Sequence, residues 1–499
     1  MNGYPPLPQD IRFSAIAPEL VLSVTAMAVL LIGLSMRRGT YTPLVVLSLV
    51  GIAVSGGTVV FFWNKPLTAF AGTVLSDQFA QMVRLILLGI AAIAVLMAEP
   101  YLQEKRIRFP EYFALVLFST AGGMVMAAAQ NLLVLFIGLE ILSLSMYVMA
   151  GLARTEARSE EAALKYFLLG AFASGFLIYG IALVYGASGT TNLNELMPAL
   201  FSSEPAKRLL LYAGLGWILV GLGFKAALVP FHMWTPDVYE GAPTSAAAFM
   251  ASAAKTAAFA VFIRVALAFQ PASALWVPVL AVLAILTMTV GNLLALAQTN
   301  LKRMLAYSSI AHAGYMAVGL VSLNATGLSG ILYYLVAYSL MSVGAFAVLT
   351  VMARAGDATT IEALRGLYYR QPFAAHAMAV LLVSLAGIPP TAGFWGKWYL
   401  FFAAVEANQW LLASVLALTS VVGAAYYLRL VFSLYAEPRM PTVAWRVPAP
   451  VSAALLACAL GLIGLGVLPT SLTDAARHAA RQVMVELPAD APSDAQARK

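Results

Sequence analysis

The sequence predicts an all-α polytopic membrane protein that crosses a bilayer about fourteen times. Three observations carry this. Of 499 residues, 62% are hydrophobic and only 10% charged, far from the balance of a soluble domain. The apolar residues gather into runs of about 20, the length that spans a bilayer core. The loops between runs are alternately rich and poor in Lys and Arg, the asymmetry that orients membrane proteins.

By length, the spans fall at about 15–35, 42–63, 79–98, 112–129, 131–152, 163–186, 209–234, 244–269, 275–297, 304–323, 327–352, 373–404, 409–434 and 449–468. Gln130-Asn131 leaves room only for a very tight turn, and the division between 323 and 327 is almost as short. Alternate loops hold Arg37 and Arg38; Lys105, Arg106 and Arg108; Arg154 and Arg158; Lys302 and Arg303; Arg354, Arg365 and Arg370; and Arg439 and Arg446. The loops between them hold only Lys65, Lys207 and Arg208. One missed span would scramble this alternation, so an even count with both termini outside is expected. Residues 1–12 are polar and carry an acid, so no signal peptide is expected there. Residues 471–499 read as a polar tail with Arg477, Arg481, Arg498 and Lys499.

Two spans are irregular in the same way. The seventh reads GLGFKAALVPFHMWTPDVYEGAP and the twelfth SLAGIPPTAGFWGKWYL. Proline removes a backbone donor and clashes with the preceding turn, so both helices are expected to break. Broken backbone is tolerated in hydrocarbon only where protein or cavity water satisfies the freed groups. The two spans lie five apart and so run in opposite directions, which suggests inverted five-helix repeats. The expected units are helices 1–3 at 1–111, a first repeat of helices 4–8 at 112–270, a second of helices 9–13 at 271–435, and helix 14 with the tail at 436–499. Asn131 opens span five and Asn300 precedes span ten, but Ser309 falls where Glu140 would align.

Four charges sit deep in apolar runs: Glu140, Lys225, Lys255 and Lys397. Each costs at least roughly 2.5–3.5 kcal/mol near the bilayer centre, so such residues face a partner or a water-filled path. Lys225 lies before one break, Lys397 after the other, and Lys255 among small Ala and Ser residues that leave room for water. A lysine taken out of water can exchange its proton near neutral pH, which an exposed lysine cannot. A nearby carboxylate whose influence moves then switches proton affinity. Plainer readings stand beside these. Glu140 and the lysines can be static ties between helices, and Lys397 can snorkel toward the interface. Lys165 lies near the inner end of span six and can simply reach water. His232 and His312 can pass protons near neutral pH or be hydrogen-bonded core residues. His376 and His478 look peripheral, and Asp237 and Glu240 look like parts of a packed loop or cap.

Other chemistry has no visible seat. Cys458 alone cannot hold an iron–sulfur cluster or a zinc site, and the histidines show no metal-ligand spacing. No phosphate loop, nucleophile motif or dinucleotide fingerprint is present. The net charge of +7 resides in loops, where topology explains it without nucleic acid.

FIGLEILSLSMYVMAGL, GLGFKAALVPFHMWTPDVYEGAPT, ALAQTNLKRMLAYSSIAHAGYMAVG and SLAGIPPTAGFWGKWYLF resemble the antiporter-like membrane subunits of respiratory complex I, the proton-pumping NADH:quinone oxidoreductase. The resemblance covers most of the chain and is strongest from about 112 to 435. It implies that Glu140 is the family's helix-five glutamate, Lys225 its helix-seven lysine, Lys255 its helix-eight lysine and Lys397 the terminal lysine of the outward half-channel. Lys165 stands where some members have a further lysine. One member carries a long lateral helix after its spans, whereas this chain ends within about thirty residues of span fourteen, so a member without that helix is the expected match. The implied activity is outward proton transfer in a bacterial inner membrane, with no redox chemistry in this chain. FMN, iron–sulfur clusters and quinone would belong to the partner subunits. Large subunits of multi-subunit sodium/proton antiporters share the fold and the buried charges and remain an alternative, as does a redox-silent scaffold.

Overall fold

The computed structural model describes residues 11–36, 41–107, 109–202, 204–354, 359–438 and 446–485. Arg37, Arg38, Arg108 and Arg439 of the basic loops, the first ten residues, and the end of the polar tail with Arg498 and Lys499 lie outside the described residues.

The chain opens with α1 (Ala17–Ser35), α2 (Thr42–Phe61), a hairpin of β1 (Leu67–Ala69) and β2 (Val74–Ser76), and α3 (Gln78–Glu104). Next come α4 (Glu111–Ala128), α5 (Leu132–Ala150), α6 (Ala157–Ser188), the short α7 (Leu193–Ser202), α8 (Pro205–Ala226), α9 (Trp234–Gly241) and α10 (Thr244–Ala268). There follow α11 (Ser273–Leu296), α12 (Leu301–Ser322), α13 (Ala325–Arg354), the single turns α14 (Ile361–Leu364) and α15 (Leu367–Arg370), α16 (Pro372–Ala386), α17 (Ala392–Glu406) and α18 (Trp410–Tyr435). The last two helices are α19 (Ala449–Val467) and α20 (Thr470–Val485).

The fourteen-span reading holds. Among the described residues, thirteen helices are long and apolar enough to cross a membrane. The remaining crossing is the broken span twelve, made of α16 and α17 of 15 residues each. Both breaks fall where a helix ends in the left-handed conformation. Ala227 has φ 61° after α8, and Gly387 has φ 81° after α16. Glycine takes this φ without the steric cost that Ala227 bears. Every residue of α10 is buried, so its lysine and arginine are surrounded by protein on all sides. The crossing of α4 and α5 is equally tight: a Cβ on Gly122 would lie 2.6 Å from the Leu142 nitrogen.

The tight turn at 129–131 is stitched by backbone pairing. Leu132 N donates to Thr191 O (2.9 Å) and Leu193 N to Gln130 O (2.8 Å), bridging Asn131 to Asn192. The same pair of bonds recurs before α12, where Leu301 N donates to Thr359 O (2.8 Å) and Ile361 N to Thr299 O (3.0 Å), bridging Asn300 to Thr360. Both asparagines also cap their helices with side-chain oxygens. Five crossings separate the two sites, so they sit on opposite faces of the bundle.

Two features escape the sequence reading. The stretch from 471 is not a bare tail up to Val485: α20 packs on α13 and α3. Ala476, Ala479, Ala480 and Val483 are its buried face, at helical spacing that the interleaved arginines obscure. Second, among the described residues the spans also hold the buried arginines Arg84 and Arg264. Arg84 donates through Nε to Glu19 Oε1 (2.8 Å), through Nη1 to Ser76 Oγ (2.7 Å) and through Nη2 to Ala15 O (3.0 Å). Arg264 donates through Nε to Ala127 O (2.7 Å) and through Nη2 to Asp77 Oδ1 (2.9 Å).

Breaking a buried ion pair on one side leaves an uncompensated charge and costs about 3–5 kcal/mol. Arg84→Met should therefore lower the melting temperature and the assembled yield, while Arg84→Met with Glu19→Leu should recover most of both. An unchanged melting curve for the single variant would show that this pair does not hold α1 to α3.

Candidate functional site

The first of the charges within the spans lie between α5, α6 and α8, with Glu140 half-buried and Lys225 buried. Ser174 donates to Glu140 Oε1, fixing the carboxylate between α5 and α6. The Lys225 ammonium donates to Ser143 Oγ (2.8 Å) and Tyr166 OH (3.3 Å) and lies 5.5 Å from the centre of the Tyr166 ring. Ser143 stands one turn beyond Glu140 on α5 and gives its own proton to Leu139 O (2.6 Å), so its lone pair is free for the lysine. Glu140 is thus within electrostatic range of Lys225, linked to it through α5 rather than by a direct contact. Tyr166 in turn stacks on Trp234 at 4.5 Å, which ties this pocket to the second half of the broken helix.

Lys255 and Lys397 answer the breaks themselves. The last carbonyls of a helix have no intrahelical partner and carry the negative end of its dipole. Lys255 donates to Ala226 O (3.0 Å), the final carbonyl of α8. Lys397 donates to Leu385 O (3.0 Å) and Ala386 O (3.1 Å), the final carbonyls of α16. Its stem crosses so close to the turn that a Cβ on Gly387 would lie 2.9 Å from Lys397 Cδ. At 7% exposure, Lys397 does not snorkel to the surface.

Between them stands His312, 1% exposed, within electrostatic reach of both Lys397 and Lys255. Its Nδ1 meets Tyr334 OH at 2.6 Å and its Nε2 meets Tyr427 OH at 3.0 Å. His232 lies in the stretch between α8 and α9, beside the Pro230 backbone.

Lys165 lies apart, at the start of α6 on the basic-loop face. It pairs with Glu161 (2.6 Å) and Asp237 (2.8 Å), and its side chain is 40% exposed. Asp237 and Glu240 also bind Arg303, at 2.7 and 3.0 Å, beside a cavity of about 220 Å³. These acids are therefore partners in an ion cluster joining α6, α9 and α12. Lys302, read from sequence as a loop charge, is buried and donates to Glu240 O (2.8 Å) and Ala242 O (2.7 Å) at the end of α9. Its position two residues into a capped helix was the available signal. His376 is exposed, against Tyr435 OH (2.8 Å). Among the described residues no group of three or more His, Cys, Asp or Glu gathers as metal ligands would.

Residues 129–423 match the family described as NADH:quinone oxidoreductase/Mrp antiporter, TM. The chain is 44% identical over 478 residues to NADH-quinone oxidoreductase subunit N of Trichlorobacter lovleyi, covering 95% of this chain and 98% of that one. It is 40% identical over 489 residues to subunit N 1 of Herpetosiphon aurantiacus, covering 96% and 98%. Among solved structures it is similar to a chain of respiratory complex I from Thermus thermophilus with bound aureothin, at TM-score 0.79 and 39% identity over 92% of this chain and 98% of that chain. A chain of the Mrp complex from Dietzia sp. shares the fold, with TM-score 0.85 at 20% identity over 94% and 97%. Family match, identity and coverage agree, and the chain belongs to the NADH:quinone oxidoreductase/Mrp antiporter membrane family.

Proposed function

We propose that this chain is a proton-translocating membrane subunit of a bacterial NADH:quinone oxidoreductase, moving protons outward through Glu140, Lys225, Lys255, His312 and Lys397. It makes no redox chemistry of its own. NADH oxidation, with FMN and iron–sulfur clusters, and quinone reduction belong to partner subunits of the complex. The relatives above favour this reading over a sodium/proton antiporter, whose likeness here is one of fold.

One contrast carries the proton-transfer role. The buried arginines are each paired with a carboxylate, Arg84 with Glu19 and Arg264 with Asp77. The buried lysines are held by neutral oxygens: Lys225 by Ser143 and Tyr166, Lys255 by Ala226 O, Lys302 by Glu240 O with Ala242 O, and Lys397 by Leu385 O with Ala386 O. Arginine stays charged and needs a counterion for good. A lysine on neutral acceptors can give up its proton without stranding a buried anion, and the amine can still donate to the same oxygen. An ammonium has three donors, and Lys255 spends one on the break, leaving two for transient water. Lys165 and Lys302 sit at the inner mouth, and the cluster around Asp237 would admit protons from that side. His232, at the break, is a secondary candidate.

The division into a first repeat at 112–270 and an inverted second repeat at 271–435 is part of this proposal, supported by the paired breaks and the paired asparagine bridges. So is the orientation, with basic loops and inner mouth facing the cytoplasm and both termini outside. Cysteines placed at Gln103 and Glu362 should react with an impermeant thiol reagent only from the cytoplasmic side, and one at Asn194 only from outside. Labelling of Gln103 and Asn194 sites from the same side would overturn the topology.

Lys225→Ala should strongly depress NADH-driven pumping by assembled complex, and Lys225→Arg should rescue poorly because arginine cannot release its proton. Normal pumping by assembled Lys225→Ala would remove this lysine from the path. Glu140→Gln preserves shape but removes the charge that acts on Lys225, so pumping per assembled complex should fall, whereas Glu140→Asp should keep part of it. A scaffold role predicts the opposite pattern, a lowered yield of complex with normal pumping in what assembles.

A further inference from the structure

His312 is held at both ring nitrogens by tyrosine hydroxyls, and that arrangement has a direction. A neutral imidazole carries one N–H and one lone pair, so one tyrosine must donate to the ring and the other must accept from it. The Tyr427 hydroxyl is also bonded to Ser308 Oγ. Four groups from α12, α13 and α18 therefore form one connected chain in the order Ser308, Tyr427, His312, Tyr334. Tyr426 lies beside its first two members and gives its own proton to Asn292 Oδ1 (3.2 Å). All four side chains are buried. Ser308 lies one turn nearer the basic-loop end of α12 than His312. At the other end, the Tyr334 ring packs on the residue before Lys397: a Cβ on Gly396 would lie 2.1 Å from Tyr334 Cδ2, so only glycine lets the ring sit there.

Resting on the reading above, we propose that Ser308, Tyr427, His312 and Tyr334 are a proton relay leading to Lys397, which passes one proton per setting and reverses its polarity as it does so. Before transfer, Ser308 donates to Tyr427, Tyr427 donates to Nε2, and Nδ1–H donates to Tyr334. A proton arriving on Ser308 Oγ displaces the Ser308 proton onto Tyr427 oxygen. The Tyr427 proton moves to Nε2, the Nδ1 proton moves to Tyr334 oxygen, and the Tyr334 proton leaves toward Lys397. One proton enters and one leaves, and no group is left charged. Every hydrogen bond now points backward and the imidazole is in its other tautomer. The next proton from the same side meets a chain that cannot accept it until the hydroxyls turn and the tautomer is restored. Such a chain blocks continuous leakage, which a water column would allow.

The test uses the assembled complex in proteoliposomes, with NADH-driven pumping and its solvent deuterium effect measured per complex. Tyr334→Phe and Tyr427→Phe keep the rings but remove the hydroxyls. Each should slow pumping about tenfold, less than the ~100-fold contributed by an indispensable acid–base group because water can substitute in part. Each should also raise the solvent deuterium effect, since proton transfer becomes rate-limiting. Tyr338→Phe is the control: its ring lies 5.3 Å from His312, but its hydroxyl bonds Ser309 instead, so pumping should be unchanged. Ser308→Ala, a smaller change, should behave like Tyr427→Phe and guards against a tyrosine variant that fails to assemble. Slowing with an unmoved deuterium effect, or equal slowing by Tyr338→Phe, would mean that the tyrosines only pack the site and would overturn the relay. Normal pumping in Tyr334→Phe and Tyr427→Phe, with Lys225→Ala and Lys397→Ala inactive, would overturn the relay alone. Normal pumping in the lysine variants would overturn the proposed function itself.

Discussion

A helix broken inside a membrane exposes carbonyls that neither lipid nor the next turn can satisfy, and the rest of this structure is arranged around that fact. At both breaks the partner is a lysine: Lys255 on the end of α8, Lys397 on the end of α16. The match is physical on two counts, since an ammonium is a strong donor and the C-terminal end of a helix carries negative partial charge. The breaks thereby create sites that hold lysines without holding them by carboxylates. A packed helix with its own bonds complete would offer nothing comparable.

Two kinds of buried charge coexist as a result. Toward the face opposite the basic loops, Arg84–Glu19 and Arg264–Asp77 clamp α1, α3 and α10 with permanent ion pairs. Along the middle, Lys225, Lys255 and Lys397 and the His312 imidazole are held by hydroxyls and backbone carbonyls rather than by carboxylates. On the basic-loop face, Lys165, Asp237, Glu240 and Arg303 gather in a partly exposed cluster across α6, α9 and α12. The charges grade from wet and paired, through dry and neutral-bonded, to dry and paired. That gradation separates the groups proposed above to exchange protons from those that hold helices together. The rigid part is equally well placed. Fully buried α10 carries both Lys255 and Arg264, and the asparagine bridges pin the starts of α5 and α12 on opposite faces.

The spans, their number and the two breaks were legible in the chain itself, because hydrocarbon thickness fixes run length and proline cannot continue a helix. Glu140, Lys225, Lys255 and Lys397 stood out for the same reason: a charge in a long apolar run is costly wherever the run folds. The fold of α20 was harder to read, since Arg477 and Arg481 alternate with the alanines that it buries and lower its mean hydropathy. Arg84 and Arg264 do not stand out in the same way, because each lies near the end of its apolar run, where burial and snorkelling look alike in a sequence.

Tertiary structure decided what each charge touches. Nothing in the order of residues says that Lys255 reaches back 29 positions to Ala226 O, or that Lys225 binds Ser143, 82 positions away, one turn from Glu140. Nor does it say that His312 stands between two tyrosines from different helices while His376 lies exposed. The sequence by itself determined where charge is expensive, because that depends on the apolar length around each residue. Only the packed bundle decided whether that expense is offset by a carboxylate or by a neutral oxygen, because partners come from helices that the chain places together only when it folds.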